Sequence, residues 1–428
     1  MIGAAEVGPG ADLGVGPRVV PDAGLGTLPH APWDAPAVMP DYRDASLVNL
    51  MASIEAGTGG VHAERSPHRT LALLPPARVR AARRIVLLVI DGLGDGYLAT
   101  HGRDTAFAEH RVGRMTSVFP STTATAISTF LTGAAPREHG LTGWHIWLEE
   151  IGRVATILPF RTRGERRLLR ELGVNPLHFF AQPTPLAARL ATATATVSPR
   201  WIIDSDYNLA HNGPATRFPY QTRDQFFDQI FTAVQSTQAR QFIYAYYPEI
   251  DANSHDHGTR SLEVAAELWR LDQGLRSLLA RLAGSDTLVI VTADHGFIDA
   301  PEARAIEIDA HPEIAAMLAH PLCGERRLAY AYVNAGMHAQ FERAVQAQLG
   351  HALDLLPSPQ AIAAGWFGIA QGRDHPMFAR RIGDYLLMMR PGWTIKDWVA
   401  GENRHRLVGV HGGTTADEMY VPLVVCEC

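Results

Sequence analysis

Lysine is almost absent from this chain. Of its 38 basic residues only Lys396 is not arginine, so any chemistry that requires an active-site lysine has a single candidate. Cysteine is also scarce. Three thiols, at Cys323, Cys426 and Cys428, exclude a disulfide framework. Cys426 and Cys428 alternate near the C-terminus, and two thiols alone do not make a zinc cluster. No apolar run approaches the roughly 18–20 residues needed to cross a bilayer. No basic residue precedes Arg18, so the start lacks the charged n-region of a signal peptide. A cytoplasmic protein acting away from membranes is the expectation. There is no basic excess either: the net charge is −6 with a pI near 6.3, which argues against bulk nucleic-acid binding. The chain does have length and apolar content. Its 428 residues are 46% hydrophobic, enough for a large core. At roughly 150 residues per domain three domains would fit, and one large α/β domain with insertions fits equally well.

Residues 1–45 are rich in Gly, Pro and Ala and read as an irregular arm. From 46 to 428 a single catalytic domain is expected. A helix is predicted near Leu47–Glu55. Ile85–Ile90 is a continuous apolar, largely β-branched run, the mark of a strand buried on both faces. It ends at Asp91-Gly92-Leu93-Gly94. Phe242–Tyr247 likewise runs into Pro248-Glu249-Ile250-Asp251, and Thr287–Thr292 into Ala293-Asp294-His295-Gly296. Leu262–Leu282 has helical periodicity, and Met419–Val425 is a last apolar run. This alternation predicts an α/β fold with a doubly wound, mostly parallel central sheet and helices on both faces. Ligands of such sheets lie beyond the carboxyl ends of the strands. Two stretches break the rhythm. Residues 143–190 carry Trp144, Trp147 and Phe160, and residues 297–402 hold predicted strands at Leu328–Val333 and Tyr385–Met389 around a helix at Met337–Leu349. Both are read as elaborations near the site.

Asp and His gather at the strand ends: Asp91, Asp251 with His255, Asp294 with His295, and His411. Three carboxylates and three imidazoles suit a pair of divalent metals that each keep an open position. Such a pair can clamp the attacking and leaving oxygens of an in-line displacement at phosphorus. Mg²⁺ prefers an all-oxygen set, so the imidazoles favour Zn²⁺, with Mn²⁺ or Fe as alternatives. Asp251 and His255, four apart, share one face of a helical turn. A second segment, Phe119-Pro120-Ser121-Thr122-Thr123-Ala124, runs into a small-residue helix that stops at Thr132-Gly133. Its hydroxyls are either an N-cap or a nucleophile at an anion-binding helix terminus.

Taken in order, VIDGLG (89–94), FPSTTATA (119–126), LTG (131–133), EHGLTG (138–143), PEIDANSHDHG (248–258), TADHG (292–296) and VHGG (410–413) resemble the alkaline phosphatase superfamily, especially its nucleotide pyrophosphatase/phosphodiesterase branch. The resemblance implies the alkaline-phosphatase-like fold and two metals. Asp251, His255 and His411 would hold one; Asp91, Asp294, His295 and the nucleophile oxygen would hold the other. It puts the nucleophile at Thr123, with Thr122 and Ser121 as fallbacks. The implied activity is cleavage of phosphodiester or pyrophosphate bonds through a phosphothreonine. The implied partner is a small phosphate ester, a nucleotide among the candidates.

The sequence also departs from that branch. Ala124 follows the nucleophile where an aromatic residue often stacks on a nucleobase, and Trp144-His145 stand near the position of a phosphate-binding Asn. A phosphomonoesterase and a phosphonate hydrolase are therefore kept as alternatives, and a non-catalytic metal-binding module as a remote one. The lysine-dependent phosphoglycerate mutase branch fits poorly with Lys396 alone, and no cysteine sits in a sulfatase CxPxR-type motif. Among lesser residues, His257 reads as solvent-facing or supporting, His139 as a turn residue and Arg137 as solvated. Trp144, Trp147 and Phe160 read as core rather than cavity lining. Thr415 with Glu418 reads as a capping box that fixes the turn after His411.

Overall fold

The computed structural model describes residues 37–59, 66–371 and 373–428. Most of the expected arm lies outside the described residues. Its last part, 37–45, is packed down: Val38, Met39, Tyr42 and Ala45 are buried. The Tyr42 hydroxyl donates to Trp366 O and accepts from Phe119 N.

Seven strands form the main sheet, in the order Arg111–Thr116, Tyr420–Glu427, Thr287–Thr292, Arg84–Ile90, Gln241–Tyr247, Ala193–Pro199, Thr216–Tyr220. Arg84–Ile90 and Thr287–Thr292 are buried at every position, so both faces are covered, as their unbroken apolar runs require. Strand register brings the candidate residues to one edge. Ile90 lies opposite Tyr247, and Val89 opposite Thr292, in parallel pairing. Three strands therefore end at one height, and the loops starting at Asp91, Pro248 and Ala293 leave side by side. The last strand runs antiparallel, with Tyr420 opposite Thr116 and Val424 opposite Val291. Its incoming chain, which carries His411, arrives at the same edge, and the segment after Thr116 leaves from it towards Thr123.

The predicted helices and strands of this frame are present with small boundary shifts, the first helix extending over Leu47–Thr58. Three strands were not legible. Arg111–Thr116 is an exposed edge strand with a charged sequence, Ala193–Pro199 is an Ala/Thr run ending in proline, and Thr216–Tyr220 is short and mixed. None offers a clean apolar period. The two irregular stretches are not separate additions. They join in one antiparallel sheet, in the order Leu353–Pro357, Tyr385–Met389, Leu328–Ala331, Cys323–Gly324, His145–Leu148, Arg153–Thr156, Arg161–Thr162. Among the described residues no helix is long and apolar enough to cross a membrane.

One ion pair ties the two sheets together. Arg327, at the start of a second-sheet strand, meets Glu418 on the short helix Ala416–Met419 that leads into the last main-sheet strand. The nitrogen–oxygen distance is 3.0 Å and both side chains are fully buried. Arg327 also donates to Arg390 O and Trp393 O. Glu418 completes the capping box with Thr415 and accepts from Gly413 N. Removing one partner strands a buried charge, a loss of about 3–5 kcal/mol. Arg327→Met is therefore expected to lower stability by about that much in chemical denaturation, and adding Glu418→Gln to lower it by less than the sum of the single changes.

Candidate metal centre

Asp91 follows Ile90 directly. Gly92 beside it has φ +77°, and a Cβ there would lie 2.6 Å from the Phe297 ring, so only glycine lets the turn close against its neighbours. Asp251 and His255 lie on the helix Glu249–His257, one turn apart, with Nε2 3.4 Å from the carboxylate. Asp294 and His295 occupy the turn after Thr292. His411 follows the short strand Gly409–Val410. The structure brings all six together. Nε2 of His295 is 3.4 Å from both Asp91 and Asp294, and Nε2 of His411 is 3.7 Å from Asp251. Asp91, Asp294 and His295 form one group whose donor atoms lie within 4.8 Å of each other; Asp251, His295 and His411 form another. His295 thus stands between the two, whereas the family resemblance assigns it to one side only.

The hydrogen bonds show which atoms are left over. Asp294 Oδ1 accepts from Gly92 N and His295 N, each at 3.0 Å, and Oδ2 has no partner. Asp91 Oδ2 accepts from the Tyr246 hydroxyl, and Oδ1 has none; Asp251 Oδ1 is likewise unpartnered. Each imidazole faces a backbone carbonyl through Nδ1: His255 to Gly409 O at 2.9 Å, His295 to Gly296 O at 3.1 Å, His411 to Ser121 O at 3.3 Å. A carbonyl only accepts, so Nδ1 carries a proton, and in the neutral ring Nε2 presents a lone pair. Three bare carboxylate oxygens gathered with neutral imidazoles favour a cation among them. The titration tendencies agree. Burial, then Asp294 and Asp251, pushes Asp91 well above the usual carboxylate range, and burial raises Asp251. Burial, then His295 and His255, holds His411 well below an ordinary imidazole. The residues present fit divalent metal ions.

The three hydroxyls separate by their partners. Ser121 Oγ donates to Gly413 O at 2.8 Å. Thr122, the N-cap, donates to Glu325 at 2.6 Å. Thr123, first residue of the helix Thr123–Thr132, places Oγ1 3.1 Å from His295 Nε2. Thr123 alone of the three faces the ligand cluster.

Other expectations are corrected or sharpened. Arg137 is not solvated: it is buried and pairs bidentately with Asp374 at 2.7 and 2.6 Å. His139 is buried and accepts from Leu141 N. His257 is exposed. Phe160 is core and Trp147 stacks on His320, whereas Trp144 lines the cavity. Sequence reasoning missed Tyr246, one residue before a strand end, and Glu325, from the second sheet's Cys323–Arg327 turn; neither sits in a motif. Glu325 accepts from Thr122 Oγ1 and from Trp144 N at 2.7 Å, and burial pushes it up to about 7 against those bonds. It stands near where the family resemblance leads one to look for an Asn. A cavity of about 1030 Å³ opens over the cluster, bounded by Thr123, Asp251, His255, Trp144, Trp201 and Lys396 among others.

A family model for type I phosphodiesterase / nucleotide pyrophosphatase matches residues 85–414. The chain belongs to that family. The family is one of metal-using phosphoester hydrolases, and the structure supplies candidate ligand groups of the matching kind. Solved structures share the fold. The murine ectonucleotide pyrophosphatase/phosphodiesterase 5 is 19% identical, with a TM-score of 0.57 over 79% of this chain and 87% of that one. The human protein of the same name is 17% identical, with a TM-score of 0.58 over 80% and 87%. Phosphonoacetate hydrolase from Sinorhizobium meliloti 1021, in complex with phosphonoformate, is 16% identical, with a TM-score of 0.58 over 81% and 90%. No curated protein matches the sequence. Within this family frame, Asp294→Ala is expected to reduce bound divalent metal by at least one equivalent, measured by elemental analysis of metal-loaded protein, while His257→Ala keeps the full complement.

Proposed function

We propose that this phosphodiesterase-family chain cleaves phosphodiester or pyrophosphate bonds through a phosphothreonine formed on Thr123. The observation that carries the reading is the direction of the Thr123 hydroxyl, towards His295 and the unpartnered carboxylate oxygens. Asp91, Asp251, His255, Asp294, His295 and His411 are the proposed ligands of two divalent ions, Zn²⁺ by donor chemistry, with residues 46–428 acting as one catalytic unit. Bound ions supply charge neutralisation at the phosphoryl oxygens and lower the pKa of a nearby hydroxyl.

The protein's own groups account for the rest. Glu325 holds the Thr122 side chain and the Trp144 backbone, which fixes the turn from which Thr123 projects. The first turn of the helix Thr123–Thr132 has backbone N–H groups with no intrahelical acceptor, and these suit the non-bridging oxygens of a phosphoryl group. Attack by Thr123 Oγ1 forms a phosphorus–oxygen bond as the bond to the leaving alkoxide or phosphate breaks, the hydroxyl proton passing to solvent or to the leaving oxygen. Water then cleaves the phosphothreonine and restores the hydroxyl. A phosphonate hydrolase is the second reading, supported by the shared fold with the phosphonoacetate hydrolase. An AMP complex is known for the murine phosphodiesterase, but Ala124 offers this chain no ring at the helix terminus to stack on a base.

The test compares zinc-loaded protein on an aryl phosphodiester and the matching monoester. Diester turnover should exceed monoester turnover, and Thr123→Ala should reduce kcat by roughly a thousandfold or more, with Thr123→Ser retaining part of it. Faster monoester cleavage would move the chain to the phosphatase reading. Full activity in Thr123→Ala would end the phosphothreonine mechanism.

A further inference from the structure

The cavity wall away from the metal cluster carries the chain's single lysine. Lys396 Nζ lies 5.2 Å from the centroid of the Trp398 ring, and the Arg326 guanidinium lies 5.5 Å from it. Two cations thus converge on one indole. The backbone holds them there, since Ile395 N donates to Arg326 O at 2.9 Å. Both line the same cavity as Thr123 and Asp251. Arg326 directly follows Glu325, whose carboxylate accepts from Thr122 beside the nucleophile.

Local countercharge is shared among several cations. Glu402 is 3.4 Å from Lys396, but it is already engaged by Arg163 through both oxygens, at 2.7 and 2.9 Å. Asp397 is also taken by Arg163, at 2.8 Å. Among the described residues Arg326 donates to His405 alone, at the ring and the carbonyl, each 3.1 Å. Among the described residues no carboxylate is within ion-pair distance of Arg326. Arg404, the third cation near Trp398, is neutralised by Glu307 and Asp309. Burial, then Arg163, draws Lys396 down to about 8, with Glu402 and Asp397 opposing.

We infer that Lys396 and Arg326 form an anion subsite, so that the preferred substrate is a phosphate ester or phosphonate whose substituent ends in a second anionic group, a carboxylate or a further phosphate. This rests on the hydrolase reading for the position of the phosphorus, and it narrows the substrate class. A charge-assisted contact to such a group accounts for about a tenfold gain in affinity.

The test is calorimetric binding to zinc-loaded protein freed of excess metal, so it needs no turnover. The probes are ethylphosphonate, 3-phosphonopropionate and 1,2-ethylenediphosphonate. Wild type should bind at least one of the two doubly acidic probes about tenfold more tightly than ethylphosphonate, and the preferred probe separates carboxylate from phosphate recognition. Lys396→Met and Arg326→Met should each bring that ratio to within about twofold of one, and Lys396→Arg should keep it. Equal affinities in wild type, or a ratio that survives in both Met variants, would overturn the subsite. Loss of diester turnover with the ratio intact would count against the hydrolase reading alone; an absent ratio with turnover intact would count against the subsite alone.

Discussion

Mutual repulsion among buried groups is the constraint around which this molecule is organised. Asp91, Asp251 and Asp294 each keep a bare oxygen in a space shared with the His295 and His411 rings. Nothing local relieves that. The surrounding fold holds the groups in place at a cost in solvation, and it does so redundantly. Two backbone N–H groups pin Asp294, a phenol pins Asp91, and a carbonyl turns each ring. Parallel register supplies the common height from which these residues project. An arrangement that opposes its own charge state yet is held this firmly is suited to cations, and the family match gives it a chemical setting.

The legible part of the protein was the part whose neighbours in sequence are its neighbours in space. An apolar strand followed by an acidic turn is one continuous signal, so the strands ending at Ile90, Tyr247 and Thr292, with the ligand candidates after them, could be read without a structure. The helix Leu262–Leu282 was readable to the residue because its period is long and uninterrupted. The second sheet was legible only in part: the strands expected at Leu328–Val333 and Tyr385–Met389 are present as Leu328–Ala331 and Tyr385–Met389, but their partners were not foreseen. Several of its strands are two to four residues long, and Gly324 pairs with His145 across a wide sequence gap. A strand of that length carries too little pattern to separate from a turn.

The same logic explains the misreadings around the site. Arg137 reads as solvated in the sequence because its partner, Asp374, is more than two hundred residues away. Glu325 has no motif; only the fold brings it to Thr122. Thr123 was separable from Ser121 and Thr122 by family likeness alone, and the structure adds a physical distinction, since its two neighbours spend their hydroxyls on Gly413 and Glu325.

Glu418 has a consequence for how the cavity can work. Its carboxylate binds the guanidinium of a second-sheet strand, the amide of Gly413 two residues after His411, and its own helix cap. Prising the two sheets apart would expose that charge and loosen the His411 loop in the same motion. The main and second sheets therefore behave as a fixed jaw. The shape of the cavity, which both Thr123 and the exposed Trp201 line, is then set by that fixed spacing of the sheets, so what it admits is decided by fit to a standing volume.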